Sequence, residues 1–239
     1  MNNAPLSIEN ISKCYGAEQV LDKLSLDLEN KEIFGLIGLN GIGKTTLIKS
    51  ILQLSFADSG KVQLFGKSFQ DKASRKKVAY LPEKFHPSKY LRGYEYLELC
   101  LDYYGMELDK KAAAECAKEL ELDSKALDRR ISSYSKGMGQ KIGLIGAFLS
   151  KRPLLILDEP MSGLDPKARI ALKKKLLAYR NEGNTIFFSS HILADMEEIC
   201  DRVGILHDTT IRYLGTPQGF KDQYPQDTLE NSFLQAIAA

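Results

Sequence analysis

An excess of charge of either sign is missing from this chain: 33 Lys and Arg stand against 31 Asp and Glu, for a net charge of +2. The totals therefore hold no field that would demand nucleic acid as a partner. Cysteine is scarce. The four residues Cys14, Cys100, Cys116 and Cys200 lie far apart, with no C-x-x-C pair and no neighbouring His, which argues against a zinc site and a disulfide scaffold. Buried or idle thiols in a reducing compartment are the expectation. Long apolar runs are absent as well: the longest charge-free apolar stretch, Ile142 to Leu149, falls far short of the roughly 18 residues of a membrane span. The opening Met-Asn-Asn-Ala-Pro-Leu has neither the basic nor the apolar segment of a secretory leader, so any membrane connection is expected to come through a partner. Internal repeats and low-complexity segments are also lacking. What remains is 239 residues, 44% of them hydrophobic, enough to bury a core and carry an inserted subdomain.

Hydrophobic periodicity orders that material. Short apolar pulses from Leu6 to Leu28, around the turn-like Tyr15-Gly16, predict β structure ahead of a central strand, Ile33 to Ile37. A helix is expected over Thr45 to Leu54, then a short strand over Lys61 to Phe65 between the turns Asp58-Ser59-Gly60 and Gly66-Lys67, and another over Val78 to Leu81 that Pro82 stops. From about Pro87 to Lys151 the pattern is helical, with Leu97, Leu101 and Tyr104 on one stripe and Ala113, Ala117 and Leu120 on a second. Strand and helix then alternate: Leu154 to Leu157, Pro166 to Arg180, Thr185 to Phe188, Ile192 to Cys200, and strands Val203 to Leu206 and Ile211 to Leu214. The fold class is therefore α/β, a mainly parallel sheet covered on both faces, with an N-terminal antiparallel β subdomain and an inserted helical subdomain. A nucleotide-binding core with its β subdomain spans 1–86 and 152–239, an inserted helical subdomain 87–151, and a short C-terminal helix 226–239.

Chemistry concentrates at a few points. Gly38-Leu39-Asn40-Gly41-Ile42-Gly43-Lys44-Thr45 follows an apolar strand and precedes a helix, the setting of a phosphate-binding loop. The glycines Gly38, Gly41 and Gly43 let backbone N–H groups curl around a phosphate, joined by Asn40 and Thr46, and the helix dipole favours the same charge. Lys44 is expected to reach the β- and γ-phosphates, and Thr45 to ligate Mg²⁺. Leu154-Leu155-Ile156-Leu157-Asp158-Glu159 is a buried strand ending in two acids, with Asp158 for the metal and Glu159 as general base for water.

Together with Tyr134-Ser135-Lys136-Gly137-Met138, Ser162-Gly163-Leu164-Asp165 and Ser190-His191, these segments closely resemble the nucleotide-binding subunits of ATP-binding cassette (ABC) transporters, over nearly the whole chain and in the same order. The family's signature usually reads Leu-Ser-Gly-Gly-Gln, so three of five positions differ here, while Ser135 and Gly137 are kept. Read from the residues alone, Ser135 is a helix N-cap and Asp165 a cap followed by proline. The resemblance implies in addition that Ser135 and Gly137 close over the ATP of a second subunit, with Asp165 at the seam of that dimer. It also implies that His191 contacts the γ-phosphate and that Tyr15 stacks on adenine. Glu83 stands where the family generally has glutamine, and is expected to reach the metal.

The resemblance further implies ATP and Mg²⁺ as ligands, a homodimer or a pair with a related subunit holding two ATP, and an integral membrane permease that keeps the chain on the cytoplasmic face of a membrane. A soluble cassette ATPase acting on nucleic acid, ribosomes or cofactor assembly is the alternative. A single cassette with no coiled-coil insertion and no basic tail leans toward the transporter, without nucleic acid. The terminal helix, with Asp227 as cap, Glu230 three residues on, and Leu229, Phe233 and Ile237 on one face, looks like that of efflux-type cassettes.

Overall fold

A computed structural model describes residues 4–238; positions 1–3 and 239 of the expected core and terminal helix lie outside the described residues. Two sheets organise the chain. The first is antiparallel, in the order β2-β1-β4-β5, built from β1 (Leu6–Tyr15), β2 (Glu18–Asp27), β4 (Ser59–Leu64) and β5 (Lys67–Ser68). The second runs β10-β9-β3-β8-β7-β6, with β3 (Ile33–Ile37), β6 (Val78–Leu81), β7 (Leu154–Asp158), β8 (Thr185–Ser190), β9 (Arg202–His207) and β10 (Thr210–Gly215). Its neighbours are parallel except β10, which returns antiparallel along β9. The expected mainly parallel α/β sheet with an N-terminal antiparallel partner is what forms.

Every residue of β3, β7 and β8 is buried, as strands covered on both faces must be. Alternation then divides their side chains between two cores. Ile33, Ile37, Leu155, Leu157, Ile186 and Phe188 join α5 (Lys136–Leu149), α6 (Pro166–Asn181) and α7 (Leu193–Ile199). Phe34, Leu36, Leu154, Ile156 and Phe187 face the other way, toward the antiparallel sheet and α1 (Lys44–Ile51), with Phe34 stacked on Phe187 at 5.6 Å. Between β6 and β7 the regular elements are helical: α3 (Gly93–Asp102), α4 (Lys110–Glu119), two short 3₁₀ turns and α5. A four-residue helix, α2 (Lys72–Arg75), precedes β6, and α8 (Pro217–Gln223) and α9 (Leu229–Ala238) end the chain.

Several boundaries move, each for a physical reason. Ser59 and Gly60 belong to β4, where their spelling suggested a turn. Gly60 has φ 97°, and a Cβ there would sit 2.5 Å from the Asn10 carbonyl oxygen, so the glycine serves a close approach to β1 where the register shifts. Helix α1 starts at Lys44 and stops at Ile51, and Gln53 takes a left-handed conformation (φ 49°) just beyond its end. Tyr104 lies beyond α3 and donates its hydroxyl to the Val78 carbonyl at 3.0 Å, instead of extending the helical stripe. The cap of α9 is Thr228, whose Oγ1 accepts the Asn231 N–H at 3.2 Å, and not Asp227; the helix accordingly begins at Leu229.

Candidate functional site

The turn from β3 into α1 is shaped by glycine where no other residue fits. At Gly38 a Cβ would lie 2.8 Å from the Leu206 carbonyl oxygen, and Gly43 takes φ 116° with a hypothetical Cβ 2.9 Å from Val20 Cγ1. The N-cap of α1 is Gly43, which offers no side-chain oxygen, so among the described residues the first amides of the helix have no side-chain cap. A pocket of about 290 Å³ forms over this turn, walled by Asn40, Gly41, Gly43, Lys44, Thr45, Thr46, Glu83, Glu159, Ser162 and His191.

Three parallel strands deliver the polar groups at their carboxyl ends, where open α/β sheets place ligands. Lys44 follows β3; its buried ammonium donates to the carbonyls of Gly38 (2.8 Å) and Leu39 (3.3 Å) and lies 3.4 Å from Glu159 Oε1. From β7 come Asp158, fully buried, and Glu159, held at φ 49°, a left-handed conformation a glutamate rarely adopts. Asp158 Oδ2 accepts the Thr45 hydroxyl at 2.8 Å, bringing two hard oxygen donors together. His191 follows β8, and its Nδ1 meets Glu159 Oε2 at 2.8 Å. A carboxylate only accepts, so Nδ1 carries the proton and Nε2 is the free ring nitrogen. Glu159 Oε2 is thereby engaged, whereas the buried Oε1 accepts no hydrogen bond among the described residues and faces only the Lys44 ammonium at 3.4 Å.

One member escaped the sequence reading. Ser189 of β8 is paired in register with Asp158, donates its hydroxyl to Asp158 Oδ1 at 2.5 Å and accepts the Glu159 N–H at 3.0 Å. A single buried hydroxyl thus ties both acids to the next strand. The only sequence signal was a serine at the end of an apolar strand four residues after Thr185.

Tyr15, Ser135, Gly137 and Asp165 stand outside this pocket, and Glu83 lies at its edge. Tyr15 is half exposed at the end of β1, with its hydroxyl 3.4 Å from Ser55 Oγ, a contact that pulls its pKa down. Ser135 caps α5 by accepting the Met138 N–H at 3.2 Å. Gly137 packs against the loop before α6, where a Cβ would lie 2.9 Å from the Gly163 carbonyl oxygen. Asp165 caps α6 by accepting the Ala168 N–H at 2.9 Å, and that bond, assisted by Lys141, holds its carboxyl below the usual range. Glu83 is exposed at the pocket edge and makes no hydrogen bond or ion pair among the described residues. Its charge is still felt: burial, reinforced by Asp158 and Glu83, pushes the Tyr80 phenol up to about 12.

The chain as a whole is similar to known proteins. Residues 21–162 match the family model described as ABC transporter. An ABC transporter ATP-binding protein of Synechocystis is 39% identical over 193 residues, covering 78% of this chain and 53% of the relative, so the chain spans about half of that relative's length. The Nod factor export ATP-binding protein I of Burkholderia orbicola is 32% identical over 214 residues, covering 87% of this chain and 69% of its own. A solved structure titled as the ATP binding subunit of an ABC transporter superposes with a TM-score of 0.89 at 32% identity, over 98% of this chain and 99% of the other. With a family model matched over more than half of its length and relatives above 30% identity, the chain belongs to the ABC transporter family.

Proposed function

We propose that this chain binds and hydrolyses ATP as the nucleotide-binding subunit of a membrane exporter. The observation that carries the reading is the convergence of Lys44, the Thr45–Asp158 pair and the Glu159–His191 pair in one pocket at the carboxyl ends of three adjacent strands. The glycine turn fits a phosphate chain, with Gly38, Asn40, Gly41, Gly43 and Thr46 around it. The oxygen donor set of Thr45 and Asp158 fits Mg²⁺, which when bound neutralises charge developing on the phosphates. Glu83, at the pocket edge, is a further oxygen donor for that ion.

Hydrolysis needs a base, a clamp and an orienting group. Glu159 supplies the base through Oε1, the oxygen that accepts no hydrogen bond among the described residues: it takes the proton as water attacks the γ-phosphorus and the bond to the ADP oxygen breaks. His191 lines the pocket and fixes the carboxylate through Oε2, leaving Nε2 for the γ-phosphate. Lys44 places its ammonium against the phosphates. Tyr15 offers an exposed ring for the adenine.

Ser135, Gly137 and Asp165 lie outside this pocket, which supports a role across a head-to-tail dimer with two ATP between the copies. Residues 87–151 serve as the helical subdomain, and with the loop from Glu83 to Tyr94 they receive the integral membrane partner. No helix among the described residues is long and apolar enough to cross a membrane, so that partner would hold the chain at the cytoplasmic face. Export is supported by the printed function of the Burkholderia relative.

Glu159→Gln keeps the shape and removes the base. Hydrolysis should fall on the order of 10²–10⁴-fold while Mg-ATP binds and drives a dimer visible by light scattering. A variant that stays monomeric at saturating Mg-ATP sinks the dimer. Recovery of the native protein wholly with ribosomes or nucleic acid sinks the transport assignment.

A further inference from the structure

Gln140, in α5 of the inserted helical subdomain, is only 6% exposed and takes no part in walling the nucleotide pocket. A buried amide needs a partner. Gln140 finds one in the core: its Nε2 donates to the carbonyl of Pro160, 20 positions along the chain, at 3.2 Å. Pro160 is itself buried, and no backbone N–H reaches its carbonyl among the described residues, so the amide is the donor on which that oxygen depends. The location matters more than the bond. Pro160 directly follows Glu159 in the turn that leaves β7, a turn closed by the Ser162 N–H donating to the Glu159 carbonyl at 3.0 Å. Glu159 sits there at φ 49°. A proline steers the residue before it toward extended backbone, so this left-handed conformation holds only where the surroundings over-determine it. Ser189 of β8 grips the N–H on one side of Glu159, and Gln140 of α5 grips the next carbonyl on the other.

We infer that Gln140 is a positioning residue for hydrolysis: its amide, by holding the Pro160 carbonyl, fixes the turn that aims the Glu159 carboxylate. The inference rests on Glu159 acting as the base, as proposed above. A carbonyl only accepts, so the bond requires the NH₂ of the amide, and a hydrocarbon side chain of similar length cannot replace it. Without that donor a buried carbonyl is left unpaired, and the turn relaxes to find water or another N–H, carrying the base with it. The loss falls on the chemical step. Lys44 is held to the glycine turn by its own bonds to Gly38 and Leu39, so nucleotide binding does not depend on Gln140. Because α5 belongs to the inserted subdomain, the same bond makes the aim of the base depend on where that subdomain sits against the core.

The test compares the full chain with Gln140→Met, which keeps the length of the stem and removes the donor, and with Gln140→Asn, which keeps the amide and shortens its reach by one methylene. In both, kcat should fall at least about tenfold, the low end of what a misplaced group costs, with KM for Mg-ATP within about twofold of the parent. In a Glu159→Gln background no base is left to aim, so Gln140→Met should subtract nothing further from the residual single-turnover hydrolysis. Hydrogen exchange on the nucleotide-free chain reads the turn without activity: the Ser162 amide should exchange faster in the Met variant while the amides of β7 keep the parent's protection. Parent-like kcat in both variants overturns the inference. An equal loss with and without Glu159 makes Gln140 a structural residue and also overturns it, as does a rise in KM that accounts for the whole loss in kcat/KM. If the Met variant does not fold, the Asn variant decides by the same readings. If the parent itself releases no phosphate from Mg-ATP, the reading of Glu159 as base falls and takes the inference with it.

Discussion

Ser189→Ala is the most searching perturbation, because that one hydroxyl hydrogen-bonds to both acids from the adjacent strand. Two bonds vanish: the 2.5 Å donation to Asp158 Oδ1 and the 3.0 Å acceptance of the Glu159 N–H. A hydrogen bond to a charged group contributes about 1.5–3 kcal/mol, and a buried amide left unpaired costs about 1–3 kcal/mol. The two share one oxygen and do not add fully, so a net loss of roughly 2–4 kcal/mol is expected. At roughly 2–4 °C per kcal/mol for a chain of this size, the melting midpoint should drop by about 5–15 °C. Activity should suffer separately. Glu159 sits at φ 49°, and without its anchored N–H the carboxylate drifts from its working position, for a loss of about 10²-fold in kcat, as a misplaced group costs. ATP affinity should hold, because the ammonium of Lys44 bonds to Gly38 and Leu39 and not to Ser189 among the described residues. Thermal unfolding and steady-state phosphate release read the two effects independently. A variant melting within about 1 °C of the parent with kcat within about twofold would refute the reasoning.

Lys44→Ala removes the ammonium from two carbonyls and strands the buried Glu159 charge; turnover should vanish and ATP affinity weaken, and an unchanged phosphate-release rate would dismiss the clamp. Glu83→Gln should retain substantial hydrolysis, whereas Glu83→Ala should impair hydrolysis and its stimulation by the membrane partner more than it impairs binding. Wild-type rates for Glu83→Ala, alone and with the partner, would reduce Glu83 to a loop residue. Acid should loosen α9 before the core. The Lys221 ammonium, aided by the Leu229 N–H at 3.0 Å, holds the Glu197 carboxyl below the usual range. Its contribution is therefore complete above the unfolded value near ~4.3 and is lost as pH falls through the lower folded value. Hydrogen exchange in α9 should rise below about pH 4, and Glu197→Gln should show that faster exchange already at pH 7; protection indifferent to both would discard the link.

The strands were legible because their chemistry is local: Ile33 to Ile37 and Leu154 to Leu157 are unbroken apolar runs with turn residues beyond, and a doubly covered strand needs nothing else. Lys44, Thr45, Asp158 and Glu159 were legible for the same reason, each belonging to a contiguous spelling. Ser189 was not. Its role exists only because β8 lies in register beside β7, a relation between residues 31 positions apart that no window along the chain contains. Gly60 misled in the opposite direction, since glycine signals a turn as readily as the close approach of two strands that it serves here. At α9, Asp227 and Thr228 are both good caps, and only the path of the preceding chain selects the threonine.

Strand β7 is a party wall. Leu155 and Leu157 belong to one hydrophobic room and Leu154 and Ile156 to the other, while the end of the wall carries Asp158 and Glu159. Damage in either room therefore reaches the same two carboxylates. Truncating Leu155 or Ile156 opens cavities on opposite sides of the sheet, among different neighbours, and yet each lets the strand settle along its length. For this reason the interior of β7 is under two independent packing constraints and one chemical one, and a side chain that never approaches a nucleotide is held to the tolerance of a residue that does.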